Sequence, residues 1–285
     1  MLLKKYPDYF RFMILTILQR DIVWGDPAEN VRRADDVINS LPETDLIVLP
    51  EMFTTGFATL PDGIAESDDS ASLRWMTAKA KERDCAIAGS IAVKTDISPL
   101  SAARGDATYV NRFYFVRPDG KVTFYDKHHL FTYGGEHKCY TPGNRRVVVD
   151  YRGVRIALFV CYDLRFPVWS RNGIGRHPAP DTYDLALYVA SWPKSRIGAW
   201  NTLLRARAIE NQCYVAGVNR IGRDPACEYC GGSMVADPYG LVMTGCPDDE
   251  EGVAHADIDI DGLNAFRKKF PVLEDADDYE LMIKR

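Results

Sequence analysis

No stretch of this chain approaches the roughly 20 consecutive apolar residues that a bilayer-spanning helix requires, so no such helix is expected in it. The opening MLLKKYPDYFRFMILTIL sets lysines near an apolar run, but Asp8 and Arg11 interrupt it and no small-residue cleavage site follows. It does not read as a secretory signal, and a cytoplasmic protein with no membrane partner is expected. Also missing is a basic stripe interleaved with aromatics. The formal charge of −5 comes from intermixed acids and bases, which argues against a nucleic-acid partner and for a small one. A disulfide framework is unsupported as well, because the seven cysteines are scattered and odd in number, a usage that fits a reducing compartment. Cys227 and Cys230 form one C-x-x-C. A structural zinc site would need a second pair, and a redox pair would open a helix where Gly231 and Gly232 follow here. A plain loop without metal is the expectation.

No linker, low-complexity segment, internal repeat or composition break divides the 285 residues. Residues 1–285 are therefore read as a single domain, long enough to bury a full core. What the chain does hold is a series of short apolar runs, FMILTILQ, DLIVLPE, CAIAGSIAV, RIALFV, DLALYVASW and CYVAGVN, which read as strands covered on at least one face by helices. Between them lie helical patterns. The first starts at Asp26, with Pro27 in its first turn and Glu29 completing a capping box, and buries Val31, Ala34, Val37, Ile38 and Leu41. Another spans Ser70 to Asp84. A third covers about Arg196 to Asn211, with Arg205, Arg207 and Glu210 on a solvated or ion-paired face. Turns at Pro118-Asp119-Gly120, Arg152-Gly153 and ADPYG predict hairpins. Helix-covered strands mixed with hairpins predict a layered α/β sandwich.

Loops at strand ends are where such folds keep reactive residues, and three ends carry them. DLIVLPEMF delivers Glu51, VTFYDKHHLF delivers Lys127, and RIALFVCYD delivers Cys161. A carboxylate, an amine and a thiol are the groups that amide hydrolysis through an acyl-enzyme needs. Singly, each has a plainer reading: an exposed acid, a lysine paired with Asp126, and a buried inert thiol. Spacing alone does not bring them together.

The motifs LPEMFTTGF, YDKHHLF and FVCYDLRFP, in that order and separation, resemble the nitrilase (carbon-nitrogen hydrolase) superfamily, and the resemblance runs through essentially the whole chain. ASWP at Ala190 to Pro193 and LLRARAIENQCYVAGVNRIG at Leu203 to Gly222 resemble its ω-amidase branch most closely. The resemblance implies a four-layer α-β-β-α sandwich and a catalytic triad of Glu51, Lys127 and Cys161. Glu136, in YGGEHKCY, stands where a second, assisting glutamate is expected. The implied chemistry is attack by Cys161 on an amide carbon, with Glu51 as base and Lys127 and the Tyr162 N–H holding the oxyanion. Lys127 should also draw the thiol below its ordinary pKa of about 8.5. Arg165, in CYDLRFP, either holds a substrate carboxylate or pairs with Asp163 to fix the turn. The first reading implies a substrate such as 2-oxoglutaramate or 2-oxosuccinamate. No metal or organic cofactor is implied, and relatives commonly form homodimers.

Three rivals stand beside this reading. A papain-like enzyme would use His128, His129, His137, His177 or His255 as base. A non-catalytic member would keep the fold to bind a small ligand. Within the family, an N-carbamoyl amino acid amidohydrolase or a nitrilase uses the same groups.

Overall fold

Along the central strands, buried side chains alternate between two cores, as a side-chain period of two requires. Leu46 and Val48, Ala86 and Ala88, and Phe113 and Phe115 face one core, whereas Ile47, Ile87, Tyr114 and Val116 face another. The computed structural model describes residues 12–95, 108–173 and 181–282. The N-terminal lysines and His177 lie outside them.

The strands are β1 (Phe12–Gln19), β2 (Leu46–Val48), β3 (Glu66–Ser67), β4 (Ala86–Thr95), β5 (Thr108–Val116), β6 (Val122–Asp126), β7 (Val148–Tyr151), β8 (Val154–Val160), β9 (Leu185–Ala190), β10 (Tyr214–Asn219), β11 (Ile221–Arg223), β12 (Glu228–Cys230), β13 (Met234–Ala236), β14 (Val242–Gly245) and β15 (Gly252–Asp259). One sheet runs β15-β1-β2-β4-β5-β6 with β3 beside β4, and a second runs β14-β13-β10-β9-β8-β7. Helices α1 (Pro27–Ser40) and α2 (Ala71–Arg83) pack Ala34, Ile38, Met76 and Ala80 on the outer face of the first sheet. Helix α3 (Ile197–Asn211) packs Trp200, Leu204 and Ala208 on the second, and α4 (Ile260–Lys269) follows β15. The order of layers is α-β-β-α, the sandwich that the family resemblance implies. Each fully buried aliphatic side chain in it contributes about 1.5–3 kcal/mol.

Parallel pairing places the functional ends together. β2 pairs parallel with β4, and β8 with β9, so each pair leaves its sheet at one edge. The hairpins form where turn chemistry predicts them: Pro118-Asp119-Gly120 joins β5 to β6, and Arg152-Gly153, both at positive φ, joins β7 to β8.

Three local expectations are corrected. Asp26 caps α1 through its carboxylate to Glu29 N (3.0 Å), but the return half of the box does not form, because Glu29 accepts from Arg32 instead. Arg207 forms the expected ion pair with Glu210, at 2.8 Å, but it is buried rather than on a solvated face and also donates to Leu164 O at 2.7 Å. The C-x-x-C is no plain loop, since Cys230 ends β12 in a short hairpin with β11.

Candidate active site

Each of the three strand ends is fixed by a neighbouring strand. Just past β2, Leu49 N donates to Ala88 O (2.8 Å), and Met52 N and Phe53 N donate to Ser90 Oγ and O (2.9 and 3.1 Å). Met52 adopts a φ of +45°, which turns the chain sharply beside Glu51. Past β6, Lys127 N donates to Asn111 O on β5, and Lys127 O accepts from Gly143 N, both at 2.9 Å. Gly143 is required there, because a Cβ would lie 2.0 Å from Asp126 O. Past β8, Cys161 itself takes a φ of +44° and opens a single 3-10 turn, Cys161–Arg165. A non-glycine residue in this region stores strain of about 1–3 kcal/mol.

Asp163 holds that strained turn. Its buried carboxylate accepts from Val160 N (3.0 Å) and Tyr125 OH (2.7 Å) on one oxygen. The other oxygen pairs with His129 N (3.0 Å) and His129 Nδ1 (2.8 Å). The Cys161 turn is thereby tied to residues on either side of Lys127.

The structure brings Glu51, Lys127, Glu136 and Cys161 into one cluster. Lys127 Nζ lies 2.8 Å from Glu51 Oε1 and 2.9 Å from Glu136 Oε2, and all three side chains have no exposure. Asn111 Nδ2 bridges the two acids, at 2.8 Å from Glu51 and 3.2 Å from Glu136. Ser191 N donates to Glu51 Oε2 at 2.7 Å, and Phe131 N to Glu136 Oε2 at 2.6 Å. Burial alone would push the Lys127 ammonium down, but Glu136, Glu51 and Cys161 hold it above its ordinary value. Glu136 is pushed up, by burial first and by the Glu51 charge, against the pull of Lys127.

The thiol reverses one expectation. Burial, then Glu51, raise Cys161 well above the ordinary thiol value, and the opposing pull of Lys127 does not offset them. Two carboxylates beside one ammonium in a buried site favour the neutral form. Burial beside the Glu51 carboxylate thus favours the protonated thiol at Cys161.

Cys161 forms part of the floor of a largely apolar cleft of about 440 Å³. Tyr162 and Arg165 line it too. The Tyr162 ring meets Phe131 and Phe166 edge-on at 5.2 and 5.1 Å, while its N–H lies in the first turn of the 3-10 helix, where donors have no partner within the helix. Arg165 stacks over Trp192 at 4.9 Å. It makes no ion pair among the described residues, and Asp163, its alternative partner, is filled by other donors.

The histidines point to other work. His128 stacks on Trp169 at 3.8 Å with Nδ1 paired to Gly143 O, and His129 stacks on Phe166 at 3.7 Å. His137 is exposed, and His255 meets Thr16 across β1 and β15. Among the described residues no cluster of three His, Cys, Asp or Glu side chains could hold a metal ion.

Sequence reasoning missed Asn111, Ser191 and the Asp163 clamp. Asn111 left a signal, because asparagine is depleted in strands and here it interrupts the run YVNRFYF.

The sequence profile of the carbon-nitrogen hydrolases matches residues 14–268. The chain belongs to this family. Among curated relatives of this carbon-nitrogen hydrolase, the omega-amidase YafV of Escherichia coli K12 is 45% identical over 268 residues, covering 94% of this chain and 98% of the relative. A 2-oxoglutaramate amidase of Bacillus subtilis is 35% identical, covering 92% and 96%. Among solved structures, a carbon-nitrogen hydrolase superfamily protein of Xanthomonas campestris with an arsenic adduct in its active site superposes with a TM-score of 0.88 at 37% identity, covering 95% of this chain and 99% of that one.

Proposed function

We propose that this carbon-nitrogen hydrolase is an ω-amidase, which cleaves the terminal amide of a short carboxylic-acid monoamide to the acid and ammonia through a cysteine thioester. The observation that carries the reading is the buried Glu51–Lys127 pair beside Cys161, at the floor of a cleft that also presents Arg165. Glu51 takes the Cys161 proton as sulfur attacks the amide carbon. The resulting oxyanion is held by the Lys127 ammonium and the Tyr162 N–H. Glu51 passes the proton to the nitrogen, the C–N bond breaks, and ammonia leaves behind a thioester. Water that loses a proton to Glu51 attacks that thioester, and the proton returns to sulfur as the acid is released.

In this scheme Glu136 holds Lys127 in place, and Arg165 binds the carboxylate with its planar fork. The names of the YafV and Bacillus relatives support a substrate of the 2-oxoglutaramate or 2-oxosuccinamate type. Residues 1–285 are read as one domain, on the strength of a family match that spans residues 14–268. A cytoplasmic homodimer completes the reading, with exposed Ile209, Tyr239, Leu241 and Phe270 as apolar surface available to a second copy.

The test is an ammonia-release screen over short acid monoamides, neutral amides, nitriles and N-carbamoyl amino acids. Acid monoamides should give the highest kcat/KM. Preferred turnover of a nitrile or a carbamoyl acid would replace the ω-amidase reading with another of the same family.

A further inference from the structure

Among the described residues, the cleft is lined by two cationic side chains, both guanidinium groups, Arg165 and Arg196. Their placement follows from the sheet. β8 and β9 are parallel neighbours, paired from Ile156 with Leu185 to Val160 with Val189, so the turns that follow them leave the same edge side by side. The first turn, Cys161–Arg165, ends on Arg165; the second begins at Ser191 and ends in the 3-10 segment Lys194–Arg196. The Trp192 ring N–H donates to Arg196 O at 2.9 Å. The indole that backs Arg165 thus also fixes the backbone that carries Arg196.

Both cations are held without being neutralised. Arg165 lies over Trp192 at 4.9 Å, and Arg196 over Phe131 at 5.3 Å and Tyr133 at 5.7 Å. Aromatic faces position a guanidinium and leave its N–H donors free for a ligand. Arg112, Arg155, Arg220 and Arg267 elsewhere in the protein each pair with an aspartate. Among the described residues neither Arg165 nor Arg196 has such a partner, and none of those lining the cleft is an Asp or Glu. The nearby acids do not compensate, since the oxygens of Glu51 and Glu136 already accept from Lys127, Asn111, Ser191 and Phe131.

We propose that Arg196 is a second, specificity-determining contact for the acid end of the substrate, and that with Arg165 it sets the enzyme against substrates carrying an α-ammonium group. This rests on the acid-monoamide reading above. A 2-oxo acid offers a carboxylate and a neighbouring carbonyl oxygen, acceptors enough for two donor forks. An α-amino amide offers the same carboxylate beside an ammonium, which brings three donors and a like charge toward two cations. The pair therefore admits 2-oxo and unsubstituted monoamides and rejects asparagine and glutamine.

The experiment measures kcat and KM of wild type, Arg196→Gln and Arg196→Lys on succinamate, 2-oxosuccinamate, asparagine and butyramide, the neutral amide of equal length. Arg196→Gln should lower kcat/KM for the two acids roughly 10- to 100-fold, chiefly through KM, as loss of a charge-assisted hydrogen bond does. Butyramide should lose far less, the margin between succinamate and asparagine should narrow, and Arg196→Lys should retain part of both. Calorimetric binding of succinamate to Cys161→Ala, with and without Arg196→Gln, should show the same weakening without turnover. Equal losses on succinamate and butyramide, or a margin over asparagine unchanged in Arg196→Gln, overturn the assignment of Arg196 alone. Wild type that prefers butyramide to succinamate overturns the acid-monoamide reading and this inference with it.

Discussion

In the buried cluster beside Cys161, the floor of the site, every charged group has found a partner, whereas neither arginine on the cleft wall has one among the described residues. Glu51, Lys127 and Glu136 are fully buried and mutually satisfied, with Asn111, Ser191 N and Phe131 N taking the remaining oxygens. Desolvating such ions costs several kcal/mol each, and only pairing and hydrogen bonds offset it. Arg165 and Arg196 are half-buried and rest on aromatic rings. In the proposed scheme the floor is organised before any substrate arrives and acts on the amide that every substrate shares, while the wall is completed by the part that differs between substrates.

That contrast can be broken by mutation, because floor variants should lose activity on all amides alike and wall variants on acids alone. The largest loss is expected for Glu51→Gln, which cannot accept the thiol proton and should drop kcat by about 10²–10⁴ on succinamate and butyramide equally. Glu136→Gln should lose less, again on both, since Lys127 keeps its contact to Glu51. An undiminished rate in Glu51→Gln would remove it as the base. Next comes Arg165→Ala, expected to lower kcat/KM for acid monoamides roughly 10- to 150-fold, the equivalent of a charged hydrogen bond, with a much smaller effect on neutral amides. Equal losses would move Arg165 from the wall to the scaffold.

The smallest effect tests the support beneath both. Arg207 lies in α3, yet it donates to Leu164 O inside the nucleophile turn. Arg207→Met should cost about 1–3 kcal/mol of stability, because the Leu164 carbonyl loses its buried donor. Equilibrium urea unfolding reads this directly, and an unchanged midpoint would show the tether to be dispensable.

The central strands and their turns were legible in the sequence because each run is short, apolar and bounded by residues with definite turn chemistry, whereas β3, β11, β12 and β15, which carry no such run, were not. Glu51, Lys127 and Cys161 stood out because each ends such a run, but it was the resemblance to the nitrilase superfamily that joined them into one site. What was not legible depends on approach across the sheets. The thiol's raised pKa needs its burial beside two carboxylates, a fact of three dimensions that the adjacency of a lysine in a motif pointed the wrong way. Asn111 looked like a strand residue until β5 placed it between Glu51 and Glu136. Arg207 had the spacing of a surface residue, and only the fold of the nucleophile turn onto α3 buries it. Arg196 marked only the approximate start of a helix, because its significance lies in having no ion-pair partner among the described residues.

The central claim is that Cys161 forms the covalent link to the substrate, and intact-protein mass spectrometry during succinamate turnover tests it most directly. Wild type should carry an adduct equal to the substrate less ammonia, located by peptide mapping on Cys161. Cys161→Ala should keep the same circular dichroism and show neither adduct nor ammonia release. Ammonia release from Cys161→Ala at the wild-type rate, or an adduct mapped to another residue, would contradict the account.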